Sequence, residues 1–203
     1  NMSYFKEQEY KGIDYSTEKF EKGEYVNCAF INCNFTALDL SNINFIECTF
    51  ENCNFSIARV INTGLREVSF KGCKLLGMRF EDCNDFLFFV NFTDCQLNLA
   101  SFFKKKLKNT SFKNCSLHEV DFSNCDLSAA LFQNCDLRGA VFDKTIVEKA
   151  DFRTAFNYSI APDNNKIKKA RFSRDGVLGL LDRYNIEIEW NEKCWFIARQ
   201  ILT

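Results

Sequence analysis

Eleven cysteines and a single histidine are the residues of this 203-residue chain best suited to chemistry. Thiolates bind metals and attack electrophiles, and histidine moves protons near neutral pH. Their placement argues for neither use. Cys33, Cys53, Cys73, Cys95, Cys115 and Cys135 recur every twenty residues, with one step of twenty-two between Cys73 and Cys95. No Cys–His cluster with metal-ligand spacing occurs. His118 follows Leu117 and has no placed serine, cysteine or aspartate partner, so it is not expected to act as a base. There is no phosphate-binding loop, no HExxH and no plausible triad. The chain is therefore expected not to be an enzyme, and to use no cofactor and no metal.

Two other groups could recognise something without transforming it. Lys104, Lys105, Lys106 and Lys108 place four positive charges in one short stretch. Phosphate or an acidic partner would suit them. Without interleaved aromatics or a glycine-rich loop they read instead as a solvated corner, with the Lys105 stem running along the core to reach water. Phe86, Phe88 and Phe89 form the second group. They cannot all point inward, so at least one is expected to be exposed as a contact site or to fold back over its own loop.

The elements that carry these residues follow from a period of five. Phe112, Leu117, Phe122, Leu127, Phe132, Leu137 and Phe142 are five apart, and Thr110, Cys115, Val120, Cys125, Ala130, Cys135 and Ala140 stand two residues before them. On an α-helix a step of five advances about 140°, which spirals the apolar residues around the surface. On a flat strand it sends them to alternate faces. A chain that bends once per repeat, and coils around its own core, points both positions inward.

The columns give the number of sides. At a spacing of twenty, Phe30, Phe50 and Phe70 align, as do Phe92, Phe112, Phe132, Phe152 and Phe172. One two-residue insertion between Phe80 and Phe92 unites the two sets, and the same insertion unites the cysteines. Four sides of five residues are expected, about twenty residues per coil. The insertion is placed within 81–91, with Leu87 turned inward and part of Asp82–Asp85 bulging outward, because a buried aspartate is costly.

This pattern resembles that of the pentapeptide-repeat family. Cys125-Asp126-Leu127-Ser128, Cys135-Asp136-Leu137-Arg138 and Cys53-Asn54-Phe55-Ser56 carry the resemblance, which extends over Tyr10 to Phe172. It implies an all-β solenoid, a right-handed quadrilateral β-helix. In the quinolone-resistance (Qnr) branch, the resemblance further implies a C-terminal helix that forms a two-fold dimer. It also implies loops that contact DNA gyrase or topoisomerase IV, and protection of those enzymes from inhibitors by DNA mimicry. The charge pattern departs from a DNA mimic. Net charge is −1, and only residues 1–70 are acidic, with 6 Lys/Arg against 10 Asp/Glu.

The expected organisation is a β-helix over 1–172, with a loose first coil over 1–25, and a cap over 173–203. Ser173 is expected to start a short α-helix carrying Val177, Leu180, Leu181 and Tyr184 on one face, followed by strand-like alternation of Ile186, Ile188 and Trp190. Leu178, Ile186, Ile188, Trp190, Trp195 and Phe196 then remain to be buried, and a homodimer through the cap would bury them. Nine cysteines hold the small inward slot, where a free thiol behaves as a small hydrophobe. Reduced thiols imply a cytoplasmic location. With no run long enough for a membrane span, the expected function is a protein-interaction or structural module that binds neither nucleic acid nor membrane directly.

Overall fold

The computed structural model describes residues 3–189 of the chain. Over them the backbone winds as a right-handed, four-sided parallel β-solenoid of about 7 turns, with ~20 residues per coil. One sheet orders β1 (Ser3–Lys6), β3 (Gly23–Val26), β5 (Asn44–Ile46) and β7 (Gly64–Arg66). The other orders β2 (Glu9–Lys11), β4 (Ala29–Ile31), β6 (Thr49–Glu51), β8 (Val68–Lys71), β9 (Val90–Thr93), β10 (Ser111–Lys113) and β11 (Leu131–Gln133). Every pairing is parallel. The other sides are joined by single bridges such as Asn34 to Asn54 and Asp126 to Ile146.

A five-residue side closes because its fifth residue takes a left-handed conformation. Beyond Phe35, Ala37 has φ 56°, and the Leu38 N–H donates back to the Phe35 carbonyl at 3.1 Å. Asparagine tolerates that conformation better than most residues. It fills the position at Asn52 (φ 53°), Asn114 (φ 51°) and Asn124 (φ 59°). The outward polar positions of the repeat thus include the residue that makes the corner.

The core is built of stacked columns. The rings of Phe30, Phe50, Phe70, Phe92, Phe112, Phe132 and Phe152 lie 4.6 to 5.4 Å from one coil to the next, nearly parallel. A second column of Phe80, Phe102, Phe122 and Phe142 meets the first edge to face, as aromatic quadrupoles prefer. The cysteines at described positions are all unpaired and buried. Most of their thiols donate to carbonyls of the preceding coil, as Cys53 does to Phe30 at 3.4 Å and Cys73 to Phe50 at 3.3 Å. Thr63 and Thr145 occupy the same kind of slot and use their hydroxyls in the same way, to Leu40 and Phe122. Small size is what the slot selects, since Val120, Ala130 and Ala140 fill it equally without a donor. Burial pushes the thiols of Cys48 and Cys125 up to about 12, so they stay protonated and inert.

The insertion is two residues long. The Asn84 N–H still donates to the Thr63 carbonyl twenty-one residues back, as Gly64 does to Ile43, whereas Val68 pairs with Val90 and Phe70 with Phe92, twenty-two on. The excursion therefore lies between Asn84 and Val90.

The closing segment differs from the expected α-helix. Gly176–Leu180 and Asp182–Tyr184 are 3-10 turns, although Ser173 does accept the Gly176 N–H at 2.9 Å. Tyr158 lies so close beneath this segment that a Cβ on Gly179 would collide with the Tyr158 carbonyl oxygen. Two glycines weaken a helix by roughly 1 kcal/mol each, and the left-handed Asn185 ends it. Leu180 packs on the core, while Val177 and Tyr184 are exposed. Ile186 and Ile188 form no strand. Trp190, Trp195 and Phe196 lie outside the described residues.

Candidate interaction surface

The 84–89 loop is held by its two ends and by one buried cation. Asn84 starts it, donating from Nδ2 to Asn62 Oδ1 at 2.7 Å and accepting the Phe86 N–H at 2.8 Å. Cys83 stays in the small inward slot at 4% exposure, and Val90 resumes the phase at 0%. Between them the central apolar slot has no periodic occupant. Leu87 does not fill it, contrary to expectation. It sits at the tip with φ 54° and 66% exposure, because the turn begun by Asn84 breaks the phase before Leu87 is reached. Phe88 leans onto the core instead.

Lys105 occupies the inward slot one coil on and does not reach water. Its side chain is 2% exposed. The ammonium donates to the Cys83 carbonyl at 2.5 Å and to Asp85 Oδ1 at 2.6 Å, and lies 4.9 Å from the centre of the Phe88 ring. A backbone dipole, a carboxylate and an aromatic face together compensate a charge that burial would otherwise make costly. All three belong to the loop or its base, so Lys105 pins the excursion from below.

What the loop presents is apolar. Phe86 is 62% exposed, and its ring lies 4.9 Å from the Arg66 guanidinium. Phe88 and Phe89 are half-buried and line, with Leu87, Ile46, Glu47 and Arg66, a hollow of about 640 Å³ beside the loop. The three phenylalanines thus divide into one outward ring and two that form the wall of the hollow. Lys104 and Lys108 lie at the corners, Lys108 pairing with Asp126 at 3.2 Å.

His118 does have a partner that sequence reading missed. Its Nε2 lies 2.7 Å from Asp136 Oδ2. Asp136 also accepts from Asn157 Nδ2 and from the Arg138 N–H. The signal was present: a residue eighteen positions on is a diagonal neighbour in the next coil of a twenty-residue period. Among the described residues no nucleophile is hydrogen-bonded to His118, so the pair ties two coils together. No group of three or more His, Cys, Asp or Glu among the described residues could hold a metal ion. No helix among them is long and apolar enough to cross a membrane.

Leu178, Ile186 and Ile188 are 42%, 53% and 54% exposed, on the irregular end of the cap. They do not join the 84–89 loop in one site.

Comparison with known proteins agrees with this architecture. The full-length structure of QnrB1, a plasmid-mediated fluoroquinolone resistance protein, matches with a TM-score of 0.57. The match covers 91% of this chain and 100% of that one, at 16% identity. HetL, a pentapeptide repeat protein involved in heterocyst differentiation regulation from the cyanobacterium Nostoc sp. strain PCC 7120, is 18% identical. That match covers 85% of this chain and 90% of HetL, with a TM-score of 0.33. No curated protein matches. The family model for the pentapeptide repeat region matches residues 24–85 and 86–156, so the chain belongs to the pentapeptide-repeat family.

Proposed function

We propose that the chain is a non-enzymatic interaction module, a rod that offers the 84–89 loop to a protein partner. One observation carries this reading. Phe86 and Leu87 are more than half exposed on a loop fixed in place by the buried Lys105. Two large apolar side chains held in water cost roughly 1.5–3 kcal/mol each relative to burial. An arrangement that maintains this exposure suits a partner with an apolar socket, the usual meaning of such a patch. The unpaired thiols suit a reducing compartment, and we place the chain in the cytoplasm.

The test uses the full chain as bait in a lysate of the source cell. Wild type should retain a protein that a variant combining Phe86→Ser with Leu87→Ser releases, while both melt at the same temperature. Equal capture by both baits would reject the loop as the contact.

A second reading is protection of DNA gyrase or topoisomerase IV from quinolones. The fold shared with QnrB1 over nearly the whole chain supports it, and the near-zero net charge weighs against a DNA-mimicking surface. Added to a supercoiling reaction containing a quinolone, the chain should restore supercoiled product. An unchanged inhibition curve would remove this reading and leave the first.

A further inference from the structure

Folding gathers lysines that the sequence scatters. Lys106, Asp126, Ile146 and Lys166 follow one another in register from coil to coil. The Lys104 N–H donates to the Ser123 carbonyl, Asn124 to Asp143 and Lys144 to Asn164, so the corners stack as well. On the other edge of the same side, Ala129 donates to Glu148 and Lys149 to Lys168. Stretches 104–109, 124–129, 144–149 and 164–169 therefore form one side of the rod. Lys104, Lys106, Lys108, Lys144, Lys149, Lys166, Lys168 and Lys169 are all exposed there. Eight outward lysines stand against two carboxylates, Asp126 and Glu148, which leaves a local charge of +6 on a chain of net charge −1. Lys108 pairs with Asp126, and the other seven lysines form no ion pair among the described residues.

We infer that this side binds the phosphate backbone of a nucleic-acid duplex, which crosses the rod in its C-terminal half. Net charge and Lys104–Lys108 alone gave no reason to expect nucleic acid, because the lysines that complete the patch lie 40 to 65 residues beyond Lys104. Four of the eight hold left-handed corners: Lys104 (φ 62°), Lys144 (φ 52°), Lys149 (φ 60°) and Lys169 (φ 60°). Asparagine is the easier occupant of such a corner. Positive charge is thus kept at these positions against the preference of the backbone, and a concentration of it on one side is the electrostatic footprint of a polyanion.

The chemistry of the surface selects the kind of polyanion. Lysine is depleted from protein–protein interfaces, which are anchored by large apolar groups, whereas interfaces with nucleic acid are polar and strongly positive. The outward apolar residues within this side are Ala129 and the half-buried Ile146, too little to anchor a protein or to enter a bilayer. A single strand would need open rings on which its bases stack. Phe103, the ring beside the patch, is covered by Lys104 Nζ at 4.9 Å. Beyond the 84–89 loop the same side carries Glu24, Glu47 and Glu67. A duplex lying along the rod would meet these carboxylates, so it crosses the rod instead. Four coils at ~4.8 Å span ~14 Å, about four nucleotide steps of one strand.

The experiment is fluorescence anisotropy of labelled DNA and RNA duplexes of about 20 bp, titrated with the full chain from about 50 mM salt upward. Wild type should bind without regard to sequence, and log affinity should fall against log salt with a slope of about −3 to −4. Lys106→Gln, Lys166→Gln and Lys168→Gln combined should weaken binding by about tenfold or more and bring the slope to about −1. Arginine at the same three positions should bind as wild type does. Glutamine at Lys71, Lys74 and Lys113, exposed on other sides, should change binding by about twofold or less. All these variants should melt with wild type. Phe86→Ser with Leu87→Ser should leave duplex binding unchanged, so this inference and the loop contact stand or fall separately. Failure of wild type to bind either duplex at high micromolar concentration overturns the inference, and so does equal weakening by the two glutamine triples. If poly-glutamate displaces the labelled duplex as well as unlabelled duplex of equal charge, the side suits an acidic protein and the assignment to nucleic acid is wrong. If phosphatidylserine vesicles do so, the side suits a membrane surface and the assignment is equally wrong.

Discussion

A lysine ammonium with a side chain 2% exposed needs compensation from its neighbours, and Lys105 draws it from the loop it supports. Asp85 is 85% exposed, so this pair is buried at one end only. Asp85→Ala should cost about 1–2 kcal/mol, because the ammonium keeps only a carbonyl and a ring. Combined with Lys105→Met, the cost should be smaller than the sum of the two single changes by about 1 kcal/mol or more, since the methionine leaves no buried charge to compensate. Urea unfolding of the four proteins measures this coupling, and additive costs would show that the pair is incidental. The phase of the repeat told that Lys105 points inward. It could not tell where the ammonium goes, because the partner lies in the one stretch where the period is broken. Leu87 was misplaced for the same reason. A rule of five assigns slots only while each side has five residues, and between Asn84 and Val90 a local turn set by Asn84 overrides it.

At the scale of the element, the repeat is a strand plus a corner, and the corner demands a left-handed residue. Ile57 is the poorest occupant of such a position. It has φ 55°, is β-branched and is 64% exposed, so little burial offsets its strain. Ile57→Asn should raise stability by about 0.5–1 kcal/mol, within the roughly 1–2 kcal/mol that the left-handed region costs an ordinary residue. A thermal melt with unchanged or lower midpoint would show that Ile57 is held by contacts that outweigh the strain. Corners and columns were readable because each position recurs in many coils and every coil repeats the same test. The cap occurs once. Its i, i+3, i+4 spacing of Val177, Leu180, Leu181 and Tyr184 fits a helix, yet Gly176 and Gly179 press against Tyr158, a contact between segments that no local pattern contains.

On the scale of the whole molecule, the outward polar positions act as a set of acid-sensitive ties between and within coils. The Ser41 hydroxyl and N–H hold the Asp39 carboxyl below its ordinary range, and bonds from Arg153 do the same for Asp151. Partial burial alone would raise Asp126, but bonds from Ser128 and Lys108 outweigh it and its pKa is lowered. Asp136 is likewise lowered, with Asn157 and His118 overcoming burial. A carboxyl with a folded pKa below its unfolded value binds fewer protons in the native state near that range. Its contribution to stability is complete above the unfolded value of 3.8 and is lost as pH falls through the lower folded value. Buried thiols held up near 12 stay neutral throughout this range and contribute no slope. The melting temperature should therefore be flat from neutral pH down to about 5 and fall steeply below about 4. Asp126→Asn keeps an oxygen for Ser128 but no charge for Lys108, so it should be less stable than wild type at pH 7 and converge with it in acid. Parallel melting curves for the two proteins across the whole range would mean that the surface carboxylates do not hold the coils together, and that the stacked core alone sets the stability of the rod.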